Sequence, residues 1–239
     1  MVAGGHTTEA PATLTYLSVV SRDSVRIALT IAALNDLKIL ACDIQNAFLT
    51  AKCREKIWTV AGPEFGSDHG KTMLVVRALY GLKSSGAAFR ALLAETLHDI
   101  GYIPSKADPD VWMRVATKAD GFKYYEYILC YVDDVLSISG DPMKTMLAIK
   151  DQFKLKDDKI AEPTDYLGAV LSPMQMADGT ECWSMSSEKY CRAAVANVEA
   201  KLDKAGQRLP TKCLAPLQNG YKPELDVSDE LKAEGLNYY

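Results

Sequence analysis

Two adjacent aspartates, Asp133 and Asp134, stand between two apolar stretches, residues 127–132 before them and 135–138 after them. Apolar arms belong in a core, so the pair is placed at the tip of a hairpin. An Asp-rich turn is common. Two adjacent like charges repel, however, and a divalent cation would remove that conflict. Asp43 ends another apolar stretch in the same way, where a cap or turn residue is the ordinary alternative. If the two strands are neighbours, three carboxylates meet at one end of a sheet. Hard oxygen ligands of this kind suit Mg²⁺, which keeps several waters and takes one or two carboxylates plus substrate phosphates. Two such ions, roughly 3.5–4 Å apart, can hold the attacking and leaving oxygens of an in-line displacement. That is the apparatus of phosphoryl transfer.

Elements that could position these groups are legible on either side. Ser21 can cap a helix over residues 22–37, which is apolar nearly all round and so is expected to be buried. A short strand follows at 38–43. Residues 56–60 and 72–77 read as two strands separated by a turn rich in Gly, Pro, Ser and Asp. Phe89, Leu92, Leu93, Thr96, Leu97 and Ile100 recur at helical spacing over residues 84–101, which Gly101 ends. Strands are expected at 111–115, 124–132 and 135–139, the last two joined by Asp133-Asp134 as a tight turn. Asp141-Pro142 starts a helix through about residue 153, with Asp as cap and Pro at the first position. Residues 166–171 read as one strand that 182–185 can join, and 187–205 as a helix ended by Gly206. Beyond it the chain is polar and proline-dotted. This order suits an α+β fold, an antiparallel sheet backed by helices on one face. Unrelated nucleotidyl transferases and RNA-binding modules share such a layer, so the fold alone decides little.

The 239 residues, 48% hydrophobic and 24% charged, suffice for one large domain or two modest ones. No apolar run is long enough to cross a membrane, and residues 1–10 lack a signal-peptide layout, so an intracellular, cytoplasmic protein without a membrane partner is expected. The six cysteines include no C-x-x-C pair, and Cys42 and Cys130 lie in apolar runs as expected buried thiols. The net charge of −4 argues mildly against nucleic-acid binding. Residues 69–94, however, contain no Asp or Glu while carrying Lys71, Arg77, Lys83 and Arg90. That stretch could grip a phosphate backbone or be a solvated face.

Asp43-Ile44-Gln45-Asn46-Ala47-Phe48-Leu49, then Ala78-Leu79-Tyr80-Gly81-Leu82-Lys83, then Tyr131-Val132-Asp133-Asp134 resembles, in order and spacing, the reverse transcriptase of Ty1/copia-type retrotransposons. Tyr166-Leu167-Gly168 and Ser187-Glu188-Lys189-Tyr190 resemble the next two blocks, and the resemblance covers roughly residues 1–205. It implies a reverse-transcriptase palm and fingers: residues 1–30 and 50–90 as partial fingers, 31–49 and 91–172 as palm, and 173–239 as the palm's end and the start of a truncated thumb. Asp43 and Asp133 would bridge two Mg²⁺ (or Mn²⁺) ions, Asp134 would support them, and the Ile44 backbone carbonyl would complete a metal shell. Phe48 would lie under the sugar of the incoming dNTP and exclude a 2′-hydroxyl. Ala47, Tyr80 and Gly81 would border the same pocket. Lys83, Arg90 and Tyr131 would face nucleic acid, and Tyr166-Leu167-Gly168 would hold the primer end. The implied partners are an RNA or DNA template with its primer, dNTPs, and the rest of the polyprotein, including ribonuclease H and integrase. Virus-like particles of the parent element are the implied setting.

Departures bear on the same site. Thr50-Ala51 stands where the family usually has Gly, and Ser84-Ser85-Gly86-Ala87-Ala88-Phe89 lacks an amide, a guanidinium and an indole of the usual pattern. The family's Lys-x-Arg pair, which would neutralise the triphosphate, is expected just before residue 2. The expectation is therefore an RNA-directed DNA polymerase domain, with a catalytically impaired nucleic-acid-binding or structural fragment as the alternative. A template-free palm enzyme such as a nucleotide cyclase would leave Phe48 and Tyr80-Gly81 without a job.

Overall fold

The structure is a computed structural model that describes residues 3–11 and 15–209. The chain forms two compact units, the first ending at Tyr190 and the second beginning at Cys191. The segment from residue 210, with Cys213, lies outside the described residues, as do Met1 and Val2.

Helix α1, Arg22–Leu34, starts where the sequence predicts, with the Ser21 hydroxyl accepting the Ser24 N–H at 3.1 Å. Asp108 reinforces the cap, its Oδ2 accepting the Ser21 N–H at 3.0 Å and the Ser24 hydroxyl at 2.6 Å. The helix stops short of residue 37 because Asp36 turns to a φ of 50°. It is not buried all round. Val25, Ala28, Leu29 and Ala32 form one buried stripe, while Ile27 and Leu34 are 61% and 76% exposed. Burial follows the i, i+3, i+4, i+7 face rather than total apolarity.

Strand β1, Lys38–Asp43, and the short helix α2, Ala47–Thr50, follow. Strands β2, Trp58–Val60, and β3, Thr72–Leu74, form a separate antiparallel ribbon, shorter than the sequence suggests. Helix α3, Ser85–Asp99, precedes β4, Ile103–Pro104, β5, Val111–Thr117, β6, Lys123–Tyr131, and β7, Asp134–Ser139. Helix α4 is Pro142–Gln152; Pro142 is at its start, but the Asp141 side chain makes no capping bond. Strands β8, Asp165–Tyr166, β9, Ala169–Gln175, and β10, Glu181–Ser186, lead to helix α5, Glu188–Lys204. Gly206 follows α5 at a φ of 67°, the left-handed helix end expected of it.

The main sheet has the order β1-β7-β6-β5-β4, and every pairing is antiparallel. Strand β4 has no counterpart in the sequence reading: two residues show no periodicity, and Pro104 is tolerated because the strand is an edge. The predicted strand over 166–171 is instead a hairpin. Leu167 and Gly168, at φ 54° and 70°, turn between β8 and β9, the left-handed pair that closes two-residue hairpins.

Helices cover both faces of the sheet, not one. Cys42, Ile128, Cys130 and Val135 pack with Phe89, Leu93 and Leu97 of α3 and with Met146 and Ile149 of α4. Ile39, Leu129, Leu136 and Ile138 pack with α1 and with Tyr166 and Leu171 of the β8–β10 sheet. The sequence carried the sign. Ile128-Leu129-Cys130 and Val135-Leu136 are unbroken apolar runs, which a strand shows when both its faces are covered. Among the described residues no helix is long and apolar enough to cross a membrane.

Candidate functional site

Strands β1 and β7 pair from Lys38↔Ser139 to Asp43↔Asp134. Asp43 and Asp134 are therefore direct cross-strand neighbours, with Cβ atoms typically about 4.5–5.5 Å apart. The ladder runs one step further, the Ile44 N–H donating to the Asp133 carbonyl at 2.9 Å. Tyr131 pairs with Asp134 across a two-residue turn made of Val132 and Asp133. The turn thus begins one residue earlier than the sequence suggests, and Asp134 is the first residue of β7. Val132 takes a φ of 56°, which suits the first central position of such a turn. It is costly for a β-branched side chain, and strain of this kind gathers at functional sites.

Asp133 and Asp134 feel the charge of the neighbouring carboxylates. Burial, then the charges of Asp133 and Asp43, push Asp134 up to about 6, with Lys156 opposing the shift. Asp133 is raised too, first by burial and then by Asp43, again opposed by Lys156. Burial, with Asp43 and Asp134 adding to it, lifts the Cys42 thiol to about 12, so this thiol stays protonated and inert. A cation meets Asp43 directly: the Nζ of Lys156 lies 3.1 Å from Asp43 Oδ2. A cleft of about 240 Å³ opens beside the cluster, lined by Asp43, Asp134, Lys156, Lys159, Asp165 and Tyr166.

Among the described residues no three His, Cys, Asp or Glu side chains stand close enough to hold a metal ion as they are, and Asp43 is turned to Lys156. The donor set nevertheless fits Mg²⁺. It is all oxygen, its members lie at one end of two adjacent strands, and burial and neighbouring carboxylate charge raise two of them.

Asn46, at a φ of 53°, swings the chain from β1 into α2. That bend carries Phe48 onto Tyr80, where the rings stack at 4.6 Å between centroids. Burial and then the Asp133 charge raise the Tyr80 hydroxyl, so this ring lies within electrostatic reach of the carboxylates. Ala47 and Ile44 are fully buried core residues, so neither presents its side chain to a ligand. Gly81 has a φ of 96°. Gly5 lies so close that a Cβ there would collide with the Gly81 carbonyl, and the Ala3 N–H donates to the Tyr80 carbonyl at 2.7 Å.

The basic stretch is less available than its sequence suggests. Lys83 Nζ donates to the Thr8 carbonyl at 2.8 Å, Arg77 to the Thr50 carbonyl at 2.8 Å, and Lys71 pairs with Asp68 at 2.6 Å. Arg90 pairs with the buried Asp110 at 2.9 Å, bracing α3 against the start of β5. Tyr131 is half-buried on the α1 face of the sheet. Tyr166 is buried, its hydroxyl donating to the Leu129 carbonyl at 3.1 Å, and it anchors the Leu167-Gly168 turn. The structure therefore brings together Asp43, Asp133, Asp134, Phe48 and Tyr80. It gives Lys83 and Arg90 local partners. Lys156 was missed, because in the charged run 154–159 it reads as one solvated lysine among several.

A family model described as reverse transcriptase (RNA-dependent DNA polymerase) matches residues 2–210. The Retrovirus-related Pol polyprotein from transposon RE1 of Arabidopsis thaliana is 30% identical over 148 residues, 60% of this chain and 10% of that protein. The corresponding polyprotein from transposon TNT 1-94 of Nicotiana tabacum is 26% identical over 194 residues, 78% of this chain and 14% of that protein. The chain spans about a tenth of the length of the curated relatives it matches.

Proposed function

Because this chain belongs to the reverse transcriptase (RNA-dependent DNA polymerase) family, we propose that it is the polymerase domain of a Ty1/copia-type Pol polyprotein. In this reading a primer 3′-hydroxyl attacks the α-phosphorus of a dNTP and pyrophosphate leaves. The observation that carries it is the Asp43↔Asp134 register with Asp133 in the adjoining turn, which gathers three carboxylates at one strand end. Asp43 and Asp133, supported by Asp134 and the Ile44 carbonyl, would hold two Mg²⁺ or Mn²⁺ ions. Bound there, the ions would supply charge neutralisation at the attacking and leaving oxygens.

The remaining residues position. The Phe48 ring, backed by Tyr80, would form the floor under the sugar and exclude a 2′-hydroxyl, with Ala47 and Gly81 contributing backbone to the pocket wall. Tyr131 and the Tyr166-Leu167-Gly168 turn would border the primer end. Lys83 would reach template phosphate by leaving the Thr8 carbonyl, an exposed hydrogen bond. The ion pair to Asp110 favours a bracing role for Arg90. Residues 31–49 and 91–172 would be palm, and 1–30 with 50–90 fingers. The template, the ribonuclease H and integrase portions, and a cytoplasmic virus-like particle belong to the proposed parent element.

Primer extension on an RNA template with Mg²⁺ tests this reading, comparing wild type with Asp133→Asn. Extension by wild type alone supports it; equal traces of product from both sink it. A second reading, a fragment that binds nucleic acid without extending it, draws on the net charge of −4 and the internally partnered cations. Template retention by a catalytically silent wild type would favour it.

A further inference from the structure

Lys156 is held at the carboxylate cluster by its backbone. The Gln45 N–H donates to the Lys154 carbonyl at 2.9 Å, and Ile44 and Leu155 form an antiparallel bridge with both side chains buried. Directly after Lys156 the chain doubles back through Asp157 and Asp158, both at a φ of 54°, and Lys150 pairs with Asp158 at 2.9 Å to hold the bend. The ammonium group therefore emerges beside Asp43 and meets Oδ2 at 3.1 Å, on one of the two oxygens this carboxylate could offer a metal ion.

We propose that Lys156 is a placeholder cation, occupying Asp43 until a divalent ion displaces it, so that metal entry and lysine release are one exchange. The proposal rests on the metal-holding role of Asp43, Asp133 and Asp134 argued above. Lys156 takes one of the two Asp43 oxygens, and its positive charge repels a divalent ion at the other, so the lysine and the ion compete. Lysine suits the task. It is a compact point charge on a flexible stem, and an exposed ion pair is cheap to break. Two consequences follow. The cluster tolerates the metal-free state, and metal affinity is held down until substrate phosphates add their own ligands.

The test titrates the full chain with Mn²⁺ alone and reads the free ion by electron paramagnetic resonance. Lys156→Gln is expected to tighten Mn²⁺ binding about two- to fivefold, the range an exposed ion pair supplies. Lys156→Arg, which restores the pair, keeps wild-type affinity. Lys159→Gln, which removes the same charge from the same cleft, shifts affinity less. In an Asp43→Asn background Lys156→Gln gives no gain. Equal or weaker binding by Lys156→Gln, or an equal effect from Lys159→Gln, overturns the proposal. Asp134-dependent Mn²⁺ binding that ignores Lys156→Gln removes the placeholder alone. No Mn²⁺ binding by wild type or Lys156→Gln removes the metal reading and the placeholder together.

Discussion

Replacing Asp134 with Asn should stabilise the metal-free protein at alkaline pH and leave it unchanged in acid. Asp134 titrates near 6 in the folded chain against a usual value of 3.8, because of burial and then the Asp133 and Asp43 charges. A raised carboxyl pKa means that the folded state keeps its proton longer than the unfolded one. The penalty is therefore absent below about pH 4, grows between the two values, and is complete above about pH 6. At about 1.4 kcal/mol per tenfold change in proton affinity, the full shift corresponds to about 3 kcal/mol. Asp134 is only half-buried, so solvent screening reduces this to about 1 kcal/mol. For a domain of this size that is about 2–4 °C in Tm. The assay is thermal unfolding followed by circular dichroism in chelator, at pH 4 and pH 8. The Asn variant should melt higher at pH 8 and level with wild type at pH 4. Added Mg²⁺ should shrink its advantage, since wild type alone gains the full charge neutralisation. A variant that melts lower at pH 8, or gains as much at pH 4, would show that the carboxylates do not repel as argued.

Other perturbations probe neighbouring parts of the argument. Val132→Gly should cost little or stabilise slightly in chemical denaturation, since relief of the left-handed valine offsets the ~0.5–1 kcal/mol of glycine's backbone entropy, whereas Val135→Gly in the core should be strongly destabilising. Glu126→Gln breaks the pair between the buried Glu126 and the partly exposed Arg114, whose N···O distance is 2.6 Å, and should cost about 2–3 kcal/mol in the same measurement. Phe48→Ala should raise ribonucleotide incorporation relative to deoxynucleotide in primer extension; unchanged discrimination would reassign Phe48 to the core it partly fills.

What was legible in the sequence was chiefly local. Ser21 as a cap, β1 ending at Asp43, the α3 stripe of Phe89, Leu93 and Leu97, and the run of motifs from Asp43 to Gly168 depend on neighbours within a few positions of the chain. Hydrogen bonding and periodicity express such relations directly. The candidate carboxylates were legible for the same reason, as charged residues abruptly ending apolar runs.

Only the tertiary structure decided the rest. It paired Asp43 with Asp134 by sheet register and shifted the turn to Val132-Asp133. It made a hairpin of residues 165–175 and laid helices on both sheet faces. It brought Lys156 to Asp43 over a sequence separation of 113, and it gave Lys83 and Arg90 local partners. These outcomes depend on which surfaces meet across long stretches of chain. A lysine reads the same in a sequence whether it faces water or a carboxylate, so its role emerges only when the fold sets the distance.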